Sequence, residues 1–336
     1  MIAFASRLAR PSRGVPRSCW LNFVVWLAAC CFKVQAAEPL LQTDALTITP
    51  GGRIKFDAIV SSRGLERAGS SDYSLAPGSV PLDDTDSVAT VSLRGSRLWL
   101  KANAPGLMSD AYFEVDFYGR TRGNENLGDG YDVRLRHGYG VWRSWLGGQT
   151  WSTFMHLSAF PEINDGGIPA GMVFARQPMV RWTHATVDSE FALAAELADT
   201  TVVDTGGRRL RADAPEFPDL VARYSRFSAR ANWSAALMVR DLRIDRGRGP
   251  RDDSATGVAA SVSGRLAVGS EDELRFGVAA GNALGRYLSG NGFDDARLDD
   301  AGRLARKLSA GGYFAWQHWW NADWRSNLVV GLAWQA

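Results

Sequence analysis

From residue 53 onward, apolar and polar side chains alternate with a period of two. Ile54, Phe56, Ala58 and Val60 alternate with Arg53, Lys55 and Asp57. Leu98, Leu100 and Ala102 alternate with Arg97, Trp99 and Lys101. Ala111, Phe113, Val115 and Phe117 alternate with Tyr112, Glu114, Asp116 and Tyr118. Val133, Leu135, Tyr139 and Val141 alternate with Arg134, Arg136, Gly138 and Gly140, with His137 interrupting the apolar set. Segments near Val180, Leu193, Ala222, Leu237, Val258, Phe276, Tyr313 and Val330 repeat the theme. A strand sends successive side chains to opposite faces, so this pattern predicts strands with one apolar and one polar face.

The connections alternate as well. Short ones fall at Ala104–Ser109, Arg143–Ser144, Val187–Asp188, Ser228–Arg230, Gly269–Glu271 and Asn321–Ala322. Long ones fall near Ser62–Asp86, Arg122–Gly130, Thr153–Ala175, Thr201–Pro218, Asp245–Ser254 and Ala283–Leu304. A soluble sandwich also alternates, but short turns on one rim and long loops on the other are the layout of a transmembrane antiparallel β-barrel. The count is about thirteen strands. Bacterial single-chain barrels have even numbers, so the expectation is a sixteen-stranded type whose last three strands are missing from this chain.

One connection cannot be solvated throughout. Between the strand-like ends of Trp145–His184, the segment 153–175 carries Phe154, Met155, Leu157, Phe160, Ile163, Ile168, Met172 and Phe174. The interior of a wide barrel would bury it. Gly166, Gly167 and Gly171 permit a tight backbone path, and Pro161 and Pro169 stiffen it.

Residues 1–37 read as an export signal. Arg7, Arg10, Arg13 and Arg17 precede an apolar run from Trp20 to Phe32, followed by the small residues Ala36 and Ala37. Leu27-Ala28-Ala29-Cys30 offers the alternative of lipoprotein processing at Cys30. All three cysteines lie in this segment, so a disulfide framework is excluded from the remainder. Residues 38–50 form a short periplasmic segment and 51–336 the barrel. The chain has 38 basic and 36 acidic residues. Five of the basic residues lie in the leader, which leaves the remainder at about −3. The slight basicity therefore belongs to the leader, and nucleic acid is not an implied partner. Hydrophobic content is 46% without another long apolar run. In a membrane protein this favours strands, because only helices and closed barrels satisfy their backbone groups in lipid.

If the apolar partners face lipid, then Lys55, Arg97, Lys101, Arg134, Arg136 and Arg181 face the lumen. A cation on the lipid face at mid-depth would cost roughly 2–4 kcal/mol. Guanidinium groups attract carboxylates and bind them in bidentate geometry, so the ladder predicts anion selection. Glu114 and Asp116 oppose part of it, and Glu162 and Asp165 are candidate acidic lips of the inward loop, with His156 nearby. The alternative is that these charges only pair and fill the wall. Trp142, Trp145, Trp151, Trp316, Trp319, Trp320 and Trp324 cluster near predicted strand ends, as an interfacial girdle would.

Residues 148–183, GQTWSTFMHLSAFPEINDGGIPAGMVFARQPMVRWT, resemble the signature of the DcaP-like outer-membrane porins. Gly51–Ala58 and Leu135–Gly140 are similar to the same pattern. The resemblance spans about residues 50–336. It implies a homotrimeric sixteen-stranded porin of the bacterial outer membrane, with a third loop folded into the pore and small anionic solutes, dicarboxylates included, as substrates. The chain departs from that pattern in lacking the closing strands, and 38–50 is too short for the N-terminal coiled coil of some members.

Catalysis has little support. The four histidines, His137, His156, His184 and His318, show no zinc-binding spacing. Ser152 and His156 could suggest a barrel phospholipase, but no third group or GxSxG element accompanies them. Asp83, Asp84, Asp86, Asp294, Asp295, Asp299 and Asp300 could hold divalent cations at the outer rim or be solvated acids. No cofactor is implied. The expectation is a passive porin, set against a barrel enzyme or a secreted ligand-binding β-domain.

Overall fold

The structure, a computed structural model, describes residues 24–26, 30–34, 38–61, 88–119, 132–163, 168–197, 199–211, 217–244 and 253–336. It is an antiparallel meander. Its strands are β1 (Thr47–Ser61), β2 (Val88–Ser92), β3 (Arg97–Ala104), β4 (Ser109–Asp116), β5 (Arg134–Trp142), β6 (Trp145–Trp151) and β7 (Arg176–Ala185). They continue with β8 (Ser189–Glu196), β9 (Asp219–Phe227), β10 (Ala231–Ile244), β11 (Asp253–Val268), β12 (Asp272–Gly281), β13 (Ser309–Trp319) and β14 (Arg325–Gln335). β2 and β3 are two halves of one position, pairing with β1 through Asp57↔Ser92 and Arg53↔Arg97. Among the described residues the meander therefore has thirteen positions, each paired with the next. Among the described residues no pairing joins β1 to β14. Val24–Trp26 and Cys30–Val34, from the segment read as leader, pair with the edge of β1 opposite β3. Leu41–Gln42 adds a short strand beside Thr47–Ile48.

One face of the sheet is apolar and exposed, carrying Ile54, Phe56, Leu98, Phe113, Val180, Leu193, Leu220, Leu237, Val258, Val278, Phe314 and Leu332. Leu237 is 65% exposed and Leu332 76%, although both sit mid-strand. In water such a face would be anomalous; against hydrocarbon it is the stable side. No described helix is long and apolar enough to cross a membrane. Trp142, Trp145, Trp316, Trp320 and Trp324 are exposed beside short turns, at one rim of this face. Trp151 and Trp319 depart from that girdle, being half-buried, with Arg176 and Arg136 over Trp151 and Arg325 over Trp319.

Strict alternation fails once in β5. The register slips between Glu114 and Val115, with Glu114 facing His137 and Val115 facing Leu135. Arg136 is the extra residue of this bulge, and both Arg136 and His137 are buried on the inner side. Beyond the slip the parity inverts. Tyr139 faces inward beside Tyr112, while Gly138 and Gly140 take the outer face. The expectation that Tyr139 and Val141 share the lipid side with Leu135 is corrected accordingly. A bulge adds one residue to one strand and shifts every later side chain to the other face.

Two of the long loops are not irregular. Thr201–Val203 pairs with Arg209–Arg211, Ala296–Leu298 pairs with Leu304–Arg306, and Val202↔Ala296 joins the two hairpins in parallel. This four-stranded sheet buries Val202, Ala296 and Leu298 against Leu242 and Ile244 of β10.

Candidate functional site

The inner face of β1 to β7 is dense in guanidinium groups. Arg136 donates to Glu114 at 2.5 Å and to Asp116 at 2.9 Å. Arg134 grips Asp116 through two nitrogens, at 2.9 and 2.7 Å. Arg97 lies 3.5 Å from Glu114, which also accepts from the Tyr112 hydroxyl at 2.5 Å. Arg53 faces Arg97 across the strands, and Arg176 lies within electrostatic reach of Arg97, Arg134 and Arg136. Among the described residues, four arginines thus lie around two carboxylates, with Arg53 beside Arg97 as a fifth cation. The Nε atoms of Arg53 and Arg97 and one terminal nitrogen of Arg176 are buried without a partner. Lys55 is paired with Asp57 at 2.8 Å. Carboxylates of the wall neutralise only part of this charge.

The segment after β6 crosses the inner face. Its first half is fastened directly to wall side chains. Thr153 N–H donates to Glu196 at 2.6 Å, Arg223 donates to the carbonyl of Met155 at 2.6 Å, and Tyr313 donates to that of Ala159 at 2.8 Å. Arg275 donates to the Phe160 carbonyl, and Glu162 accepts from Gln317 at 2.7 Å and pairs with Arg325. Further on, Gly171 has φ +77°, and a Cβ there would lie 1.9 Å from the Leu332 carbonyl oxygen. Only a glycine fits so close to β14. Phe154, Met155, Met172 and Ala175 are buried.

The wall beneath this segment is made for it. Inward positions of β9 to β12 are Val221, Ala236, Met238, Ala259 and Ala279, which pack on Phe154, Ala175, Leu284, Tyr287 and Leu288. The last three belong to the loop after β12, so two loops fill this side while the arginine side stays polar. A charged network supports them. Arg240, 2% exposed, donates to Asp219 at 2.9 Å and to Asp295 at 2.6 Å. Tyr287 donates to Asp219 at 2.7 Å and accepts from Gln177 at 2.6 Å. Burial, with the Asp219 charge beside it, pushes the Tyr287 phenol well above its ordinary range, so it remains a donor.

Of the residues singled out in the sequence, Lys55, Arg97, Glu114, Asp116, Arg134, Arg136 and Arg181 lie on the inner face. The first six form one patch. Lys101 shares their parity, near the short-turn rim, and is exposed. Glu114 and Asp116 sit within the arginine patch itself, and Glu162 is bound to Arg325 and Gln317. Asp165, Gly166, Gly167 and Asp83–Asp86 lie outside the described residues. Asp294, Asp295 and Asp299 are each engaged by an arginine (Arg209, Arg240 and Arg303), and no metal-holding cluster occurs among the described residues. His156 Nε2 lies 2.7 Å from Ser158 Oγ, while its Nδ1 is buried without a partner. No acid orients that ring for nucleophile activation. Burial and the Arg223 charge pull the His156 imidazole down to about 4. Arg53, Arg176, Arg223, Arg240 and Arg275 were not singled out. Inward parity marks Arg53 and Arg223, but the loop contacts that give the others their roles leave no local trace.

Comparison with known proteins follows the same lines. A family described as "DcaP outer membrane protein" matches residues 27–244. The crystal structure of the outer membrane channel DcaP of Acinetobacter baumannii superposes with a TM-score of 0.75 at 21% identity, over 89% of this chain and 82% of that one. OmpT (in-vitro folded), an outer membrane protein of Vibrio cholerae, gives 0.44 at 12% identity, over 89% and 90%. A search of curated proteins finds no match.

Proposed function

The chain belongs to the DcaP outer membrane protein family, and from that premise we propose that it is a porin passing small solutes, preferentially anions of the dicarboxylate type, as a homotrimer. The observation that carries the anion preference is the surplus of positive charge among the described residues of the inner wall, where Arg97, Arg134, Arg136 and Arg176 lie around Glu114 and Asp116, with Arg53 facing Arg97. The loops pack on the small-residue side over β9 to β12, and Phe160 and Phe174 of the inward loop reach the Trp151 ring beside Arg136 and Arg176. Guanidinium groups favour carboxylate oxygens over cations. Passage is passive in this proposal.

Residues 1–37 serve as the export signal in this proposal. Their removal would free the edge of β1 now paired with Cys30–Val34. Planar-bilayer recording of the purified protein tests the function: stepwise currents, with a reversal potential in a salt gradient on the anion side, are expected. Currents with a cation-side reversal potential would overturn the selectivity, and no current at all would overturn the porin.

A further inference from the structure

The inward loop is held in two different ways. Residues 153–162 bind wall side chains directly, through Glu196, Arg223, Tyr313 and Arg275. Residues 171–174 are instead hydrogen-bonded to another loop, while residues 170 and 171 also lie against glycines of β13 and β14. Phe174 N–H donates to the Tyr287 carbonyl at 2.8 Å, Ser289 N–H donates to the Met172 carbonyl at 2.8 Å, and Gly171 N–H donates to Ser289 Oγ at 3.0 Å. Val173 and Leu288 face each other as an antiparallel bridge.

That second loop carries only one short helical turn, Gly285–Tyr287, over this stretch. Its position comes from below. Arg240 donates to the Ala283 carbonyl at 2.6 Å and to Asp295 at 2.6 Å, so it grips both ends of the stretch. The Tyr287 hydroxyl reaches Asp219 and Gln177, and Arg286 donates to Gln177 at 2.9 Å. Every wall partner here is buried, and Gln177, Asp219 and Arg240 come from three different strands.

We propose that residues 283–295 are a clasp, and that Arg240, Asp219, Asp295 and Tyr287 are positioning residues that set the width of the pore through it. None of the four touches the arginine patch. Their effect passes through the Tyr287 and Ser289 contacts to residues 171–174, and thereby to the free side of the inward loop. A buried, fully partnered charge network has one arrangement, so it locates the loop instead of merely covering it. The proposal rests on the porin reading.

Single-channel recording tests it with three variants. Tyr287→Phe removes the hydroxyl between Asp219 and Gln177. Ser289→Ala removes the acceptor for Gly171 and no buried charge, so it remains decisive if other variants fail to fold. Val173→Cys with Leu288→Cys ties the two loops covalently under oxidising conditions. Folding is checked for each by the heat-dependent shift in gel mobility. Tyr287→Phe and Ser289→Ala are expected to give larger current steps and more open-channel noise. The oxidised cysteine pair added to Ser289→Ala should restore the quiet, smaller step, and a reductant should abolish the rescue. Folded variants with steps and noise equal to the unaltered chain would overturn the clasp. Absence of current in the unaltered chain would instead overturn the porin reading beneath it.

Discussion

The guanidinium of Arg176 lies over the indole of Trp151, 4.8 Å from the ring centre, with one of its nitrogens buried and unpartnered. Arg136 lies over the same ring at 5.9 Å. Among the described residues Arg176 has no ion pair of its own and lies only within electrostatic reach of Asp116, which Arg134 and Arg136 already engage. Arg176→Gln should therefore lower the anion-to-cation permeability ratio roughly twofold or more, since a focused potential of several kT concentrates counter-ions. An unchanged reversal potential would remove this residue from the selective wall.

Arg134→Ala with Arg136→Ala should act more strongly, because it strips Asp116 of its two described ion-pair partners and Glu114 of its closest one. The expected result is a reversal potential moved past that of Arg176→Gln toward cation preference. A smaller shift than the single variant would contradict the pairing described.

Site-directed spin labels along β5 should show a phase slip. Position 135 should be relaxed by oxygen in the bilayer, positions 136 and 137 both by aqueous nickel, and position 138 again by oxygen. Uninterrupted alternation from 133 to 141 would mean that the bulge at Arg136 is absent.

Leu237→Arg, on the exposed apolar face of β10, should destabilise the barrel in vesicles by about 2–4 kcal/mol. The measurement is reversible denaturant unfolding followed by tryptophan fluorescence. Destabilisation below about 1 kcal/mol would place this position away from the bilayer midplane.

His156 gives the inward loop a pH dependence of known sign. Its folded pKa of about 4 is below the unfolded value near 6.5. The neutral imidazole is thus favoured in place, its contribution is complete above about pH 6.5, and it falls away as pH drops toward 4. Open-channel noise should rise over that window and be less pH-dependent in His156→Gln. Equal pH profiles for the two would sink the assignment.

The wall was legible because lipid outside and water inside impose parity on every strand. Leu98, Leu220, Leu237 and Val330 fall on the exposed face as the alternation requires, and each short turn, from Arg143–Ser144 to Asn321–Ala322, falls between paired strands. The exceptions have physical causes. One inserted residue at Arg136 breaks the alternation only at His137, and a single polar residue in an apolar row does not by itself reveal that Tyr139 has changed face. The outer four-stranded sheet uses strands of three residues, Thr201–Val203 and Arg209–Arg211 among them, too short for periodicity to register. Arg240 meets Asp295 from 55 positions away. Such a pairing is set by how the loop after β12 packs on β10, which no local window contains.

The attachment of residues 171–174 to 285–289 also has a bearing on biogenesis. The throat is encoded early in the chain, but the parts that hold it arrive more than a hundred residues later. Contacts so distant in sequence form late and slowly. A nascent barrel that has threaded only its first seven strands therefore has an unfastened throat, and transport acquires its final calibre only after β12 and the segment beyond it have entered the wall.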